Sequence, residues 1–235
     1  MSGSAPSQLN GLAKDTEPPK TLISSIEVFV EEYMSHYDAS HDYKHIKRVL
    51  GLAQLILEKE RARVSSSSSG ISPQIQYDES LVTLGALLHD VGDKKYLESG
   101  QDANTLVRNV LLERGAPTLL ADKVQDLVLH VSFSTEKKDP QKVQDKIANI
   151  PELAIVQDAD RLDAIGAVGI ARCFTFGGAK GREDGLDGAI EHFKEKLELL
   201  EGMMKTETGK ALARERTERL KIFRGWWESE NEGFS

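Results

Sequence analysis

The sequence Leu87-Leu88-His89-Asp90-Val91-Gly92-Asp93-Lys94-Lys95 sets a histidine and an aspartate side by side behind an apolar run, Leu81 to Leu88. Such a run carries the chain indoors, and an ionised carboxylate taken there costs several kcal/mol unless something pairs with it. A divalent cation satisfies a buried His and Asp together. Neighbouring helical residues point about 100° apart, so both reach one ion most easily near a helix end. The ion needs further ligands, and the rest of the chain must supply them.

Two other segments carry ligand-type residues in apolar surroundings. His45 stands beside the apolar positions Val49, Leu52 and Ile56. Alone, such a histidine is more often a core residue bonded to a carbonyl. Asp158, Asp160 and Asp163 lie among Ile155, Val156, Leu162, Ile165, Val168 and Ile170. Acidic residues on a helix are usually a solvated face, but these interrupt an apolar stretch. Asp160 and Asp163 are three apart and share a side. Asp160, Ala164 and Ala167 make a small-residue stripe that admits a close neighbour. Three such segments together change the odds in favour of a metal.

Helices must position them. Apolar spacing predicts one from about Leu22 to Tyr37 and a second from His41 to Arg63. The next starts near Asp78 and is apolar nearly all round, hence central. Leu106 to Arg114 is closed by Gly115, and Pro117 opens another helix. Its end, Leu127 to Phe133, has the composition of a strand, but the longer period favours helix. Asp139-Pro140 reads as a cap and first turn. A long helix is predicted from Pro151 to Phe176, a loop from Gly177 to Gly185, and helices at 188–204 and 206–227. With no strand and no repeat, the fold class is all-α, a single compact helical domain. Residues 1–20 read as a disordered lead-in, 21–228 as the domain with a flexible Ser-rich loop at 64–77, and 229–235 as a tail.

The composition bounds the function. The 235 residues carry a formal net charge of -8, which argues against general nucleic-acid binding. The single cysteine, Cys173, excludes an internal disulfide and suits a reducing compartment. No run approaches a membrane span, and the N-terminus lacks a signal pattern. The expected location is the cytoplasm, with the nucleus as an alternative. The loop after Phe176 lacks the G-x-x-x-x-G-K-[ST] order of a P-loop.

Three strings in this order resemble the motifs of the HD-domain phosphohydrolase superfamily. They are His41-Asp42-Tyr43-Lys44-His45-Ile46-Lys47-Arg48-Val49, Leu88-His89-Asp90-Val91-Gly92-Asp93-Lys94, and Asp158-Ala159-Asp160-Arg161-Leu162-Asp163-Ala164-Ile165-Gly166-Ala167. Together they resemble the YedJ/YpgQ-like branch over about residues 22 to 225. The resemblance implies that His45, His89, Asp90 and Asp160 bind one divalent ion. Families with Asp-x-Asp in the last motif use the second Asp, hence Asp160 rather than Asp158. It favours Mn2+, with Mg2+, Co2+, Fe2+ or Zn2+ as alternatives. It implies a metal-dependent phosphohydrolase acting on a nucleotide or other small phosphorylated metabolite. Nucleoside triphosphate pyrophosphohydrolysis is one concrete form. No nucleic-acid or membrane partner is expected.

Further residues are candidates around that ion. Asp93 is one helical turn after His89 and faces the same site if the helix continues; similar HD nucleotidases carry an acidic residue here that orients or deprotonates water. Gly92 is the position at which that helix would end. His130, on an apolar face, is a candidate donor to a phosphate or developing oxyanion, with a core histidine as the equal alternative. Lys94 and Arg161 are the favoured phosphate-binding residues, ahead of Lys95, Arg48, Lys180 and Arg182. Two other functions remain: a di-iron HD-fold oxygenase and a non-enzymatic HD-fold regulatory module. Two-metal HD enzymes add a His a few positions after the HD pair, where this chain has Asp93. His41, four residues before His45, is a candidate to support it.

Overall fold

The structure is a computed structural model that describes residues 20–37, 41–66, 75–93, 97, 100–181 and 184–233. Among these residues every regular element is helical, and the fold is all-α. The chain starts with α1 (Lys20–Met34) and α2 (Tyr43–Ser66), followed by α3 (Glu79–Leu88). The middle is α4 (Leu106–Glu113), α5 (Thr118–Val128), α6 (Phe133–Lys138) and α7 (Pro140–Asn149). α8 (Glu152–Asp163), α9 (Gly166–Ala179) and α10 (Gly185–Glu195) lead to a 3-10 helix (Leu197–Met203) and α11 (Glu207–Glu230).

The central group is α2, α3 and α8, each packed on the other two. Every residue from Leu81 to Leu88 is buried, which explains an apolar pattern with no polar face. The core lies on both sides of this trio. One apolar cluster joins α3 to α1, α4, α5 and α7 through Ile26, Leu84, Leu111, Leu127 and Val143. The other joins α2 and α8 to α10 and α11 through Ile56, Ile155, Leu162, Phe193 and Leu220. Each such side chain contributes about 1.5–3 kcal/mol by leaving water.

Local chemistry sets several helix starts, that of α2 at Tyr43 rather than at the expected His41. Asp78 Oδ1 accepts from the amides of Ser80 and Leu81, at 2.9 and 3.2 Å, and starts α3. Asp139 Oδ1 accepts from Lys142 N at 3.0 Å, with Pro140 in the first turn of α7. Asp42 Oδ1 accepts from His45 N at 3.1 Å, so the residue between the two motif histidines caps α2.

Other expectations fail for identifiable reasons. The long helix from Pro151 to Phe176 is two helices, α8 and α9, bent by 70°. Gly166 has φ +74°, a left-handed conformation that breaks the helix where Ala164 and Ala167 would have continued it. The small-residue stripe through Asp160, Ala164 and Ala167 is therefore not one helical face. Arg216 Nη1 donates to Leu162 O at 2.5 Å, adding a side-chain donor to a carbonyl of the last turn of α8. The strand-like Leu127–Phe133 is neither strand nor continued helix. α5 stops at Val128, and Ser132 caps α6. The predicted helix over 188–204 ends at Glu195 and tightens into the 3-10 helix. α2 runs on to Ser66, so part of the predicted Ser-rich loop at 64–77 is helical; 75–77 have no regular structure, 67–74 lie outside the described residues, and so do residues 1–19 of the lead-in, whose last residue, Lys20, starts α1. α11 continues to Glu230, beyond the expected 227. Among the described residues no single helix is long and apolar enough to cross a membrane.

The break predicts its own test. A Cβ on Gly166 would meet Arg216 Cγ at 3.1 Å and Cβ at 3.2 Å, besides the strain of positive φ. Gly166→Ala is expected to destabilise the fold by about 1–2 kcal/mol, read as a lowered urea midpoint. An unchanged midpoint would show that the turn does not depend on the glycine.

Candidate metal centre

His45 lies in the first turn of α2, His89 is the residue that ends α3, and Asp90 follows it in the turn. Asp160 lies in the last turn of α8. The negative ends of α3 and α8 both terminate here, which favours a cation. His45 Nε2 lies 3.2 Å from His89 Nε2 and 3.3 Å from Asp90 Oδ2. Asp160 Oδ1 is 3.7 Å from both ring nitrogens. The two histidine side chains are 1% exposed, Asp90 22% and Asp160 29%, so the centre opens to solvent on its carboxylate side.

The tautomers follow from the partners. His45 Nδ1 is 2.7 Å from Asp163 Oδ2 and His89 Nδ1 is 2.8 Å from Ala86 O. A carboxylate and a carbonyl only accept at neutral pH, so both Nδ1 atoms carry the hydrogen. Both Nε2 lone pairs then face each other in a buried space. Asp90 Oδ2 is buried there with no hydrogen-bond partner. Two lone pairs, an orphaned carboxylate oxygen and a second carboxylate fit a divalent ion, and nitrogen and oxygen donors without thiolate suit Mn, Fe, Co, Zn or Mg. His45, His89 and Asp90 alone already offer three ligand atoms within 4.8 Å of one another.

The electrostatics agree. Burial disfavours the His89 imidazolium, but Asp90 and Asp160 outweigh it and push the imidazole up to about 9. Burial raises the Asp90 carboxyl, and His89 and His45 pull it far below the carboxylate range. Asp160 is lowered too, its burial outweighed by His89 and His45. Without an ion the centre takes up a proton as its cation.

A family model, described as HD domain, matches residues 42–165, more than half of the chain. The chain belongs to the HD domain family. The uncharacterized protein YpgQ of Bacillus subtilis (strain 168) is 37% identical over 198 residues, 81% of this chain and 84% of that protein. The crystal structure of Bacillus subtilis YpgQ in complex with ADP is similar with a TM-score of 0.68 and 34% identity, covering 91% of this chain and 100% of that one. The crystal structure of an HD-superfamily hydrolase from Bacillus thuringiensis is similar with a TM-score of 0.54 and 28% identity, covering 89% and 97%. The expected YpgQ-like branch and the all-α HD fold are thus found.

Within this HD fold the three aspartates of α8 separate. Asp160 faces the histidines. Asp158 faces away: its carboxylate accepts from Lys205 N at 2.9 Å and from Thr206 N and Oγ1 at 2.7 Å each, anchoring the start of α11. Asp163 holds His45 Nδ1 and also accepts from Arg48 Nε at 2.7 Å and Arg172 Nη1 at 3.1 Å. Burial raises its carboxyl, and His45 and Arg48 bring it well below the usual range. The sequence reading grouped Asp163 with the ligands without seeing this role. The available signal was spacing, since Arg48 follows His45 by three on α2 as Asp163 follows Asp160 on α8.

The other candidates fare differently. Arg161 is corrected: its guanidinium is buried, donating to Glu136 Oε2 at 2.5 Å and to Met203 O at 3.0 Å, and so is committed within the protein rather than to a phosphate. Lys205 Nζ shares the same carboxylate, 2.7 Å from Glu136 Oε1. His130 is buried with Nδ1 donating to Asp126 O at 2.7 Å, and no described hydrogen bond or ion pair joins it to the quartet. The helical argument for Asp93 fails, because α3 ends at His89 and Gly92 has φ +86°. Asp93 instead follows the ligand turn, half-buried, with its amide donating to Asp90 O at 3.3 Å. Lys94 and Lys95 lie outside the described residues, as do Arg182 and Glu183.

The split within α8 is testable. Asp160→Ala is expected to abolish tight binding of a divalent ion at little cost to the fold. Asp158→Ala should keep the ion and lose roughly 1–3 kcal/mol of stability, because it leaves buried donors unpaired. Metal content by elemental analysis and denaturant midpoints read both. Metal loss in Asp158→Ala with full occupancy in Asp160→Ala would reverse the assignment.

Proposed function

We propose that this HD protein is a metal-dependent phosphohydrolase that hydrolyses a nucleotide, with His45, His89, Asp90 and Asp160 holding one divalent ion, Mn2+ foremost. The observation that carries this is the buried set of two facing Nε2 atoms and the orphaned Asp90 Oδ2, open to solvent on one side. Hydrolase relatives of the same fold support the reaction class. The complex of YpgQ with ADP supports a nucleotide as the substrate class. When bound, the ion supplies Lewis acidity, acidifying water and polarising a phosphoryl oxygen.

The residues of the chain do the rest. His45 is fixed in tautomer and direction by Asp163, which the Arg48 and Arg172 guanidiniums keep ionised. His89 is fixed by Ala86 O. The ligands therefore need little rearrangement, which lowers the cost of holding charge in a partly buried site. An attacking water needs a group to orient it and take its proton. We assign that role to Asp93, the acidic residue three positions beyond Asp90 and outside the ligand set. The two arginines exceed Asp163 by one positive charge behind His45 and favour an anionic substrate.

The test is release of phosphate or pyrophosphate by the full-length protein, stripped and reloaded with Mn2+, Mg2+, Co2+ or Zn2+. Nucleoside mono-, di- and triphosphates and sugar phosphates are the panel. Chelator-sensitive hydrolysis of a nucleoside phosphate is expected. Asp93→Asn should lower kcat by roughly 10²-fold with metal content unchanged and KM nearly so. A metal-loaded protein that turns over no phosphorylated compound would refute the proposal.

A further inference from the structure

α1 carries a ladder of aromatic rings at intervals of four, Phe29, Tyr33 and Tyr37, with neighbouring centroids 5.6 Å apart. All three rings are half-buried and pack on the apolar cluster that α1 shares with α3. The Arg114 guanidinium at the end of α4 lies 4.6 Å from the centroid of Phe29 and braces one end of the ladder. A ring held between two others has little freedom to turn, so the atom at its tip is well placed.

On Tyr33 that atom is a hydroxyl oxygen, and it accepts from Gly92 N at 3.3 Å. Packing on the cluster asks for a ring and not for a hydroxyl, since Phe29 packs there without one. The oxygen of Tyr33 thus has a partner of its own, in the turn that follows the metal ligands.

That turn is held differently along its length. Its first half belongs to α3. His89 ends the helix, Val91 N donates to Leu88 O at 2.9 Å, and the Val91 side chain is buried in the core. His89 and Asp90 are therefore placed by the helix end on one side and by Val91 on the other. At Gly92, buried and with φ +86°, the chain leaves that frame. A buried amide needs an acceptor, and the one it meets comes from another helix, as Tyr33 Oη. Asp93 is the next residue. Its direction out of the turn depends on how Gly92 is held.

We propose that, on the hydrolytic reading above, Tyr33 is a positioning residue: its hydroxyl holds the Gly92 amide and so aims Asp93, the group assigned to orient the attacking water. The ion is indifferent to this hydroxyl, because the ligands are placed before the turn reaches Gly92. Turnover is not, because small displacements of a group that orients a reactant are costly.

The experiment uses the full-length protein loaded with Mn2+ and the nucleoside phosphate hydrolysed fastest in the panel above. Tyr33→Phe keeps the ring and its neighbours and removes one oxygen. It is expected to bind one equivalent of Mn2+ with unchanged affinity and to keep KM nearly constant. Its kcat should fall about fivefold to tenfold, the scale of one lost hydrogen bond. The double variant Tyr33→Phe/Asp93→Asn should be no slower than Asp93→Asn alone, because the hydroxyl acts through that carboxylate. Exchange of the Gly92 amide hydrogen, followed by NMR, should be faster in Tyr33→Phe, a reading that needs no turnover. Unchanged kcat, unchanged exchange, losses that multiply in the double variant, or loss of the ion or the fold in Tyr33→Phe each overturn the proposal and leave the hydrolytic reading standing. Full activity of Asp93→Asn removes the role of Asp93 and that of Tyr33 with it. A wild-type protein that binds Mn2+ but hydrolyses no member of the panel overturns the hydrolytic reading itself.

Discussion

Two imidazole nitrogens facing each other across 3.2 Å, each with its other nitrogen already donating, define what this protein must contain. Lone pairs in that geometry repel, and the two carboxylates beside them add negative charge in a space mostly closed to water. Such a set persists only with a cation between its members. A proton serves at neutral pH, and a divalent ion serves better, because it satisfies four ligands at once.

Much of the fold follows from building that set. The chain must deliver two histidines and two aspartates from three helices into the same space, and helix ends are where this is done. α3 stops at His89, so His89 and Asp90 leave in one turn. α8 stops at Asp163, so Asp160 and Asp163 lie in its last turn and face different partners. The bend at Gly166 then sends α9 back past the centre, carrying Arg172 to Asp163 and Phe176 to His41. A straight helix would have taken those residues away.

The sequence made part of this legible. His45, His89-Asp90 and Asp160 stand in apolar segments, and polar residues in such places advertise a partner. The order of three motifs then named the family before any geometry was known. Other features left no such trace. Ala164, Ile165 and Ala167 read as helix, and one glycine among helix formers is a weak signal; its positive φ shows only in the folded turn. Arg161 follows Asp160 and looks like a phosphate partner, but neighbours on a helix point about 100° apart, and Arg161 turns to Glu136. Asp93 has the spacing of a helical turn, yet the helix ends before it. In each case sequence distance was a poor guide because a helix ended or rotated between the residues compared.

The central claim is that a divalent ion replaces a proton at these nitrogens. It is tested most directly by calorimetric titration of the chelator-stripped wild-type protein with Mn2+ from pH 6 to pH 9. His89 is held protonated up to about 9 by Asp90 and Asp160 against its burial, so proton and ion compete for the same nitrogen below that pH. The expected result is one equivalent of ion, release of a proton on binding, and affinity that rises with pH and levels off near 9. No binding at millimolar Mn2+, two equivalents, or an affinity independent of pH would contradict it.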